Sequence, residues 1–335
     1  MKKKLCALLV VVFVFSLVLY GNIEAAAKEK PVKITISCAA IATHPYVLSA
    51  KWSQEKLKEL GSSITLDIHP GGILGGERET VEGVMLGSID MGLVADMSIA
   101  GFIPEMAFAN FPGMFKDYND VQKLYYNGWV GERVKKLCAA KGLKVLGFND
   151  NDFRWITNSK RKVTKPEDIK GLKLRVPEVA FLVDFFKEFG ALPTPIALGE
   201  LATALQQGVV DGQELGATCV YPYGFYEFNK YMTRIHHSYS AAPIILNMDK
   251  WNSLSAKQQK ELQTAIDYGT DKEFKHNRKY VDEVIAKMKA KGVIFSDMTP
   301  ELQQAILKTG KKLASSPKYL SAFGQDIVDK MYPSK

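Results

Sequence analysis

The stretch "SAKQQKELQTAIDYGTDKEFKHNRKYVDEVIAKMKAKG" (residues 255–292) decides the fold. It opens with Ser255 followed three positions later by Gln258, the spacing of a capping box, in which each side chain takes a free backbone N–H of the first turn. From there to Lys291 no proline intervenes, and apolar residues recur at helical spacing. One continuous helix of this length reaches about 55 Å at 1.5 Å per residue, roughly twice the width of a small α/β lobe. Such a helix must run from one lobe to another. The alternative is two shorter helices broken at Gly269.

Outward from this segment the chain alternates strands and helices. "VKITISCAA" (32–40) reads as a strand and "YVLSAKWSQEKLKELG" (46–61) as an amphipathic helix. Then come strand "SITLDIHPG", helix "RETVEGVMLG", strand "IDMGLVAD", one helix over "NDVQKLYYNGWVGERVKKLCAAKG" (119–142) and strand "LKVLGFN". The second half repeats the scheme: strand "LKLRVP", a helix over 178–189, a helix over 200–207 and strand "VVDGQEL". This alternation implies βαβ units in mostly parallel sheets flanked by helices. An internal echo supports two related lobes. "ETVEGVMLGSIDMG" from Glu79 and "ELATALQQGVVDGQ" from Glu200 each end a helix on glycine, then place an aspartate, Asp90 or Asp211, at the corner. The pair suggests a backbone-capping role in each lobe.

The amino terminus, "MKKKLCALLVVVFVFSLVLYGNIEAAAKEK", has a lysine n-region, an apolar run too short to be a comfortable span, and an Ala25-x-Ala27 cleavage site. We expect a cleaved signal peptide over 1–27 and an exported, periplasmic protein. Loss of Lys2, Lys3, Lys4 and Glu24 takes the formal charge from +8 to +6 (8 − 3 + 1). The lysines are scattered, which gives no nucleic-acid signature and a mild preference for anionic small molecules. Cys38, Cys138 and Cys219 are too widely spaced to imply a metal site or a disulfide framework. One bridge is compatible with them, and buried free thiols are favoured.

Catalytic signatures are missing. There is no nucleophile elbow, P-loop, His-Glu-x-x-His, Cys-x-x-Cys or dinucleotide fingerprint, and "GGILGGE" (71–77) matches neither nucleotide loop. His236 and His237 are adjacent in a strand-like segment, so they point to opposite faces and cannot share a metal. We therefore expect no enzyme, no cofactor and no metal. An exported two-lobed protein without catalytic groups is suited to closing around a small molecule. In such sheets ligands sit outside the carboxyl ends of strands. Arg175 ends one strand, in "GLKLRVPEVAFLVDFF" (171–186), just before a helix. On these residues alone the reading as a solvated face residue is favoured.

"ILGGERETVEGVMLGSIDMGLV", "RWITNSKRKVTKPEDIKGLKLRVPEV", "GALPTPIALGELATALQQGVVDGQE" and "FYEFNKYM" resemble the DctP family, the solute-binding subunits of tripartite ATP-independent periplasmic (TRAP) transporters, over about residues 32–310. The resemblance implies a Venus-flytrap fold with a long helix crossing both lobes. Lobe I would hold 28–152 plus about 241–280, and lobe II 153–240 plus about 281–335. It implies a monomer that captures a small organic acid and delivers it to TRAP membrane subunits driven by an ion gradient. Arg175 falls on the family arginine that pairs with substrate carboxylate, a role suited to its planar fork. Arg154 matches a second family arginine, with one extra residue between the two. Leu215 stands where the family often has a substrate-contacting asparagine, after Gln213 in "DGQE", and Leu198 where an aromatic often packs on ligand. Asp96, beside Ala95, falls near a family acidic contact. Glu178 is a candidate contact or only a helix-terminal charge, and Trp155 a candidate stacking surface. With Leu215 and Leu198 in place, a smaller or more apolar acid is expected over a sugar acid, because buried hydroxyls without partners are costly: an aliphatic or keto acid, a C4-dicarboxylate, which two arginines would admit, or an aromatic acid stacked near Trp155. A ligand receptor for a membrane sensor and, more remotely, an exported enzyme are the other readings.

Overall fold

Two β-sheets carry the fold in the computed structural model, which describes residues 29–333. The signal peptide expected over 1–27 lies outside the described residues. The first sheet contains Val32–Ser37 (β1), Ile64–His69 (β2), Met91–Leu93 (β3), Leu143–Phe153 (β4) and Tyr239–Asn247 (β10), in the order β2-β1-β3-β10-β4. The second contains Trp155–Asn158 (β5), Lys173–Val176 (β6), Leu192–Pro195 (β7), Gly212–Leu215 (β8), Tyr231–Arg234 (β9) and Ile294–Asp297 (β11), in the order β11-β9-β5-β8-β6-β7. Both sheets are mixed. β1 runs parallel to β3, and β6 parallel to β7 and β8, as the crossover helices require. β10 and β5 each run antiparallel to both neighbours. Among the described residues, no helix is long and apolar enough to cross a membrane.

Residues 256–290 form one helix, and the capping box of Ser255 and Gln258 is present at its start. Gly269 does not break it. A Cβ there would lie 2.5 Å from the Ser49 carbonyl oxygen and against Ser53 Oγ, so glycine is what lets the helix Pro45–Glu59 approach this closely. The first half of the long helix packs on that helix and on β4, while Val284 and Met288 join a core with Leu205, Val210 and Met232 under the second sheet. The predicted helix over 119–142 is not continuous. It turns through a π-helical stretch at Val121–Tyr126, breaks at Asn127 and Gly128, and resumes as Trp129–Ala139. A Cβ at Gly128 would sit 2.3 Å from the Lys123 carbonyl oxygen, a crossing that only glycine permits. The helix read over 178–189 spans Ala180–Glu188.

Asp90 and Asp211 hold matching places. Asp90 accepts the Thr35 N–H of β1 (2.8 Å) and pairs with Lys250 (3.1 Å). Asp211 accepts the Lys173 N–H of β6 (3.0 Å) and pairs with Lys160 (3.3 Å). Each follows a glycine of positive φ, Gly87 or Gly208. His236 and His237 lie in an irregular connection rather than a strand, with His236 at φ 42°. His236 stacks on Phe153, and His237 is buried against Phe185 and Glu214. Cys38, Cys138 and Cys219 are free and buried.

Candidate functional site

The carboxyl ends of strands from both sheets meet at two small cavities of about 50 and 80 Å³ that share Glu77, Arg175, Pro177 and Leu198 in their walls. From the first sheet's side come His44 and Tyr46, past β1, and Ala95 and Met97, past β3. From the second come Arg175 at the end of β6, Leu198 past β7, and Leu215 and Cys219 at and beyond β8. Asn151 and Arg154 enter where the chain passes between the sheets. A wider surface hollow of about 580 Å³ runs beside Lys144 and Asp267, but none of the charged residues around it is buried.

The two arginines differ in their partners. Arg154 is buried and forked onto Glu214. Its Nη2 donates to Glu214 Oε1 (2.6 Å) and to the Glu214 carbonyl (2.7 Å), and its Nε contacts Oε2. His237 Nε2 lies 3.1 Å from the same carboxylate. Burial works against both charges, yet the pairing wins: the Arg154 pKa rises and that of Glu214 falls below the ordinary carboxylate range. Arg175 is 2 % exposed and donates only from Nε, to the Ile196 carbonyl (2.8 Å). No carboxylate pairs with it among the described residues. Burial pushes it down to about 10, against the pull of Glu214. A buried guanidinium without a counterion is costly, so structures retain one where an anion completes it.

Glu77 is the acidic group common to both cavities. It opens the helix Glu77–Leu86, accepts the Ala95 N–H (3.1 Å), and is held by the Ser98 hydroxyl. His44 caps the helix Pro45–Glu59, and burial lowers it to about 3, so its imidazole is neutral. Its Nε2 lies 3.5 Å from Cys219 Sγ. Tyr46 Oη is buried without a partner. Burial raises both Cys38 and Cys219 to about 12, which keeps them as thiols.

Of the residues expected at a ligand, Arg175, Arg154, Leu215 and Leu198 line these cavities. Glu178 is exposed at the outer rim, two residues before the helix it was read as opening. Three others do not line either cavity. Asp96 turns into the core between its cavity-facing neighbours Ala95 and Met97. There it accepts from Asn110 Nδ2 (2.8 Å) and Tyr125 Oη (2.9 Å), and burial lifts it to about 6. Trp155 is packed edge-on to Phe295 and covered by Arg234. Gln213 pairs with Arg175 across the sheet, but its amide is buried off the cavity wall and has no partner. The sequence reading missed Glu77, His44, Tyr46, Asn151 and Met97. The strand-end rule that singled out Arg175 points, beyond β1, to the segment of His44 and Tyr46, whereas Glu77 and Asn151 carry no such signal.

The chain matches DctP, the bacterial extracellular solute-binding proteins of family 7, over residues 37–317. It is 34% identical to a solute-binding protein of Verminephrobacter eiseniae over 276 residues, which is 81% of each chain. It is 33% identical to the 2,3-diketo-L-gulonate-binding periplasmic protein of Escherichia coli over 244 residues, 72% of each. A solved TRAP periplasmic solute-binding protein of Polaromonas sp. JS666, bound to D-erythronate, superposes with a TM-score of 0.82 at 30% identity, covering 92% of this chain and 99% of that one. With two sheets joined by one long helix and strand ends converging on a cavity, the chain belongs to the DctP family of extracellular solute-binding proteins, the solute-binding subunits of TRAP transporters.

Proposed function

We propose that the protein, exported and trimmed near Ala27, captures a short monocarboxylate carrying hydroxyl or keto groups and presents it as a monomer to TRAP membrane subunits. The two sheets are read as the cores of two lobes that close over the ligand. One observation carries this: Arg175 is a buried guanidinium at the cavity wall with no carboxylate paired to it among the described residues. A ligand carboxylate supplies the missing charge and takes two parallel N–H bonds from the fork. The charge balance supports one carboxylate rather than two. In the smaller cavity, Arg154 is neutralised by Glu214 and Glu77 stands in the same walls as Arg175, so a second ligand carboxylate there would meet repulsion. Tyr46 Oη, Glu77 and Asn151 supply the partners for ligand hydroxyls that Leu215 and Leu198 cannot, which revises the expectation of an apolar acid. The relatives named for diketogulonate and found with erythronate are consistent with this class.

A thermal-shift panel of organic acids tests it. A ligand at a hundredfold excess over Kd adds about 2.7 kcal/mol of stability. We expect a shift with a short hydroxy- or keto-monocarboxylate, a smaller one with its dicarboxylate analogue, and none in Arg175→Ala. Losing a desolvated charge partner costs about 3–5 kcal/mol, against the roughly 8 kcal/mol of micromolar binding. A variant that keeps the wild-type shift would remove Arg175 from the site.

A further inference from the structure

Where β4 leaves the first sheet, just before the chain enters the second, three carboxyl groups are buried with one guanidinium. Asp150 and Asp152 lie on β4, and Glu273 projects from the middle of the long helix; all are at most 1 % exposed. Asp150 is fully supplied. Tyr239 Oη and Arg278 Nη2 (3.2 Å) donate to its Oδ1, and Asn277 Nδ2 (3.1 Å) donates to its Oδ2. Asp152 accepts from Tyr118 Oη and from the backbone N–H groups of Phe153 (2.7 Å) and Ala217 (3.1 Å). Glu273 receives one backbone donor, the Asp150 N–H, at Oε2 (2.9 Å), while its Oε1 has no partner. One turn further along the same helix Asn277 Oδ1 is also buried without a partner. It is an acceptor that nothing ionised at Glu273 could serve.

The remaining groups facing Glu273 do not supply a charge. Tyr46 approaches from the helix Pro45–Glu59 and Tyr126 from the segment before Asn127, while Tyr118 and Tyr239 are bonded to Asp152 and Asp150 beside it; burial holds all four phenols neutral. Among the described residues Arg278 is the single cation here; its Nη2 is bonded to Asp150, and its Nη1 is buried without a partner, so one guanidinium serves the whole cluster. Two buried carboxylates sharing one guanidinium cannot both ionise cheaply, and the one with fewer donors keeps its proton.

We propose that this junction is a proton-binding site: Glu273 is held as the neutral acid, its Oε1–H serving Asn277 Oδ1, in the segment that joins the two sheets. Burial, with the Asp150 charge adding to it, moves Glu273 well above the ordinary carboxyl range. A folded-state pKa raised above the unfolded one gives stability that is fully present below about 4.3, the ordinary glutamate value. That stability is lost as pH rises toward the folded value, where the unfolded chain releases the proton and the folded chain does not.

Glu273→Gln tests the site in the ligand-free chain. The amide keeps the acceptor for the Asp150 N–H and offers Asn277 Oδ1 a permanent donor. Denaturant unfolding of both proteins from pH 5 to 9 gives the ratio of their unfolding constants, in which Asp152 and the other shared groups largely cancel. We expect wild type to lose ground to Glu273→Gln with rising pH, by up to tenfold per pH unit for one proton. A ratio that stays flat across this range overturns the proposal. Should that variant not fold, Asp150→Asn gives a second reading. This change lets Glu273 ionise against Arg278 and also removes the Asp150 carboxyl, itself raised by burial, so the ratio to wild type must climb with pH as both contributions go, and a flat ratio overturns the proposal.

Discussion

Arg154 and Arg175 flank the same strand, β8, and are equally buried, yet their surroundings predict opposite responses to truncation. Arg154→Ala strands the fully buried Glu214 with only His237 beside it. Breaking a buried pair in this way costs about 3–5 kcal/mol, so the ligand-free melting temperature should fall steeply. Glu214 then loses the partner that depresses its pKa, and the variant should lack the stability that wild type gains above the ordinary glutamate value. Arg175→Ala removes a charge that no carboxylate pairs with among the described residues. Its ligand-free melting temperature should hold or rise while binding is lost. Melting scans of both variants with and without ligand check this, and a similar drop in both would count against the assignment of roles. Position at a strand end was legible for Arg175 because Pro177 and the following helix mark where β6 stops. The environments of Asp96 and Trp155 were not. A shift of one residue exchanges faces, and nothing local says that Ala95 and Met97, rather than Asp96, look into the cavity.

The long helix shows what periodicity can and cannot carry at the scale of an element. Its cap, its length and its crossing of both sheets follow from residues 255–292 alone, because no proline interrupts the apolar repeat. The purpose of Gly269 required its partner helix. Helix propensity favours Gly269→Ala by about 1 kcal/mol. Packing opposes it, since the new methyl would overlap Ser53 Oγ and lie 2.5 Å from the Ser49 carbonyl, which is backbone and cannot rotate away. Overpacking of this kind costs about 1–3 kcal/mol or more, and because the contact is with backbone we expect the upper part of that range and a net destabilisation of about 2 kcal/mol in urea unfolding. A more stable Gly269→Ala would mean that the two helices can separate at no cost. The segment 119–142 failed in the other direction. Its apolar repeat runs through the break, and only the close backbone crossing at Gly128 and Gly131 explains why the helix must restart.

At the scale of the molecule, the two sides of the cavity touch through groups that no single element announces. The Ile41 N–H, in the loop after β1, donates to Tyr223 Oη (3.1 Å), and His44 meets Cys219 a few residues away. Both contacts join a first-sheet loop to the segment following β8, so opening the cleft must break them. On the proposed closure of two lobes over the ligand, they would act as a clasp whose strength adds to the ligand's own contacts. A neutral hydrogen bond contributes about 0.5–1.5 kcal/mol net, equivalent to roughly two- to tenfold in an equilibrium constant. Tyr223→Phe keeps the ring stacked on Phe225 and removes only the hydroxyl. We therefore expect ligand dissociation to quicken by that factor, with little change in the association rate or in the ligand-free melting temperature. His44 stays neutral throughout the physiological range, so the effect should be the same at pH 6 and pH 8. Stopped-flow release measured at both values decides it. An unchanged dissociation rate would mean that the clasp opens before the ligand leaves, and that Arg175 and its neighbours alone set the residence time.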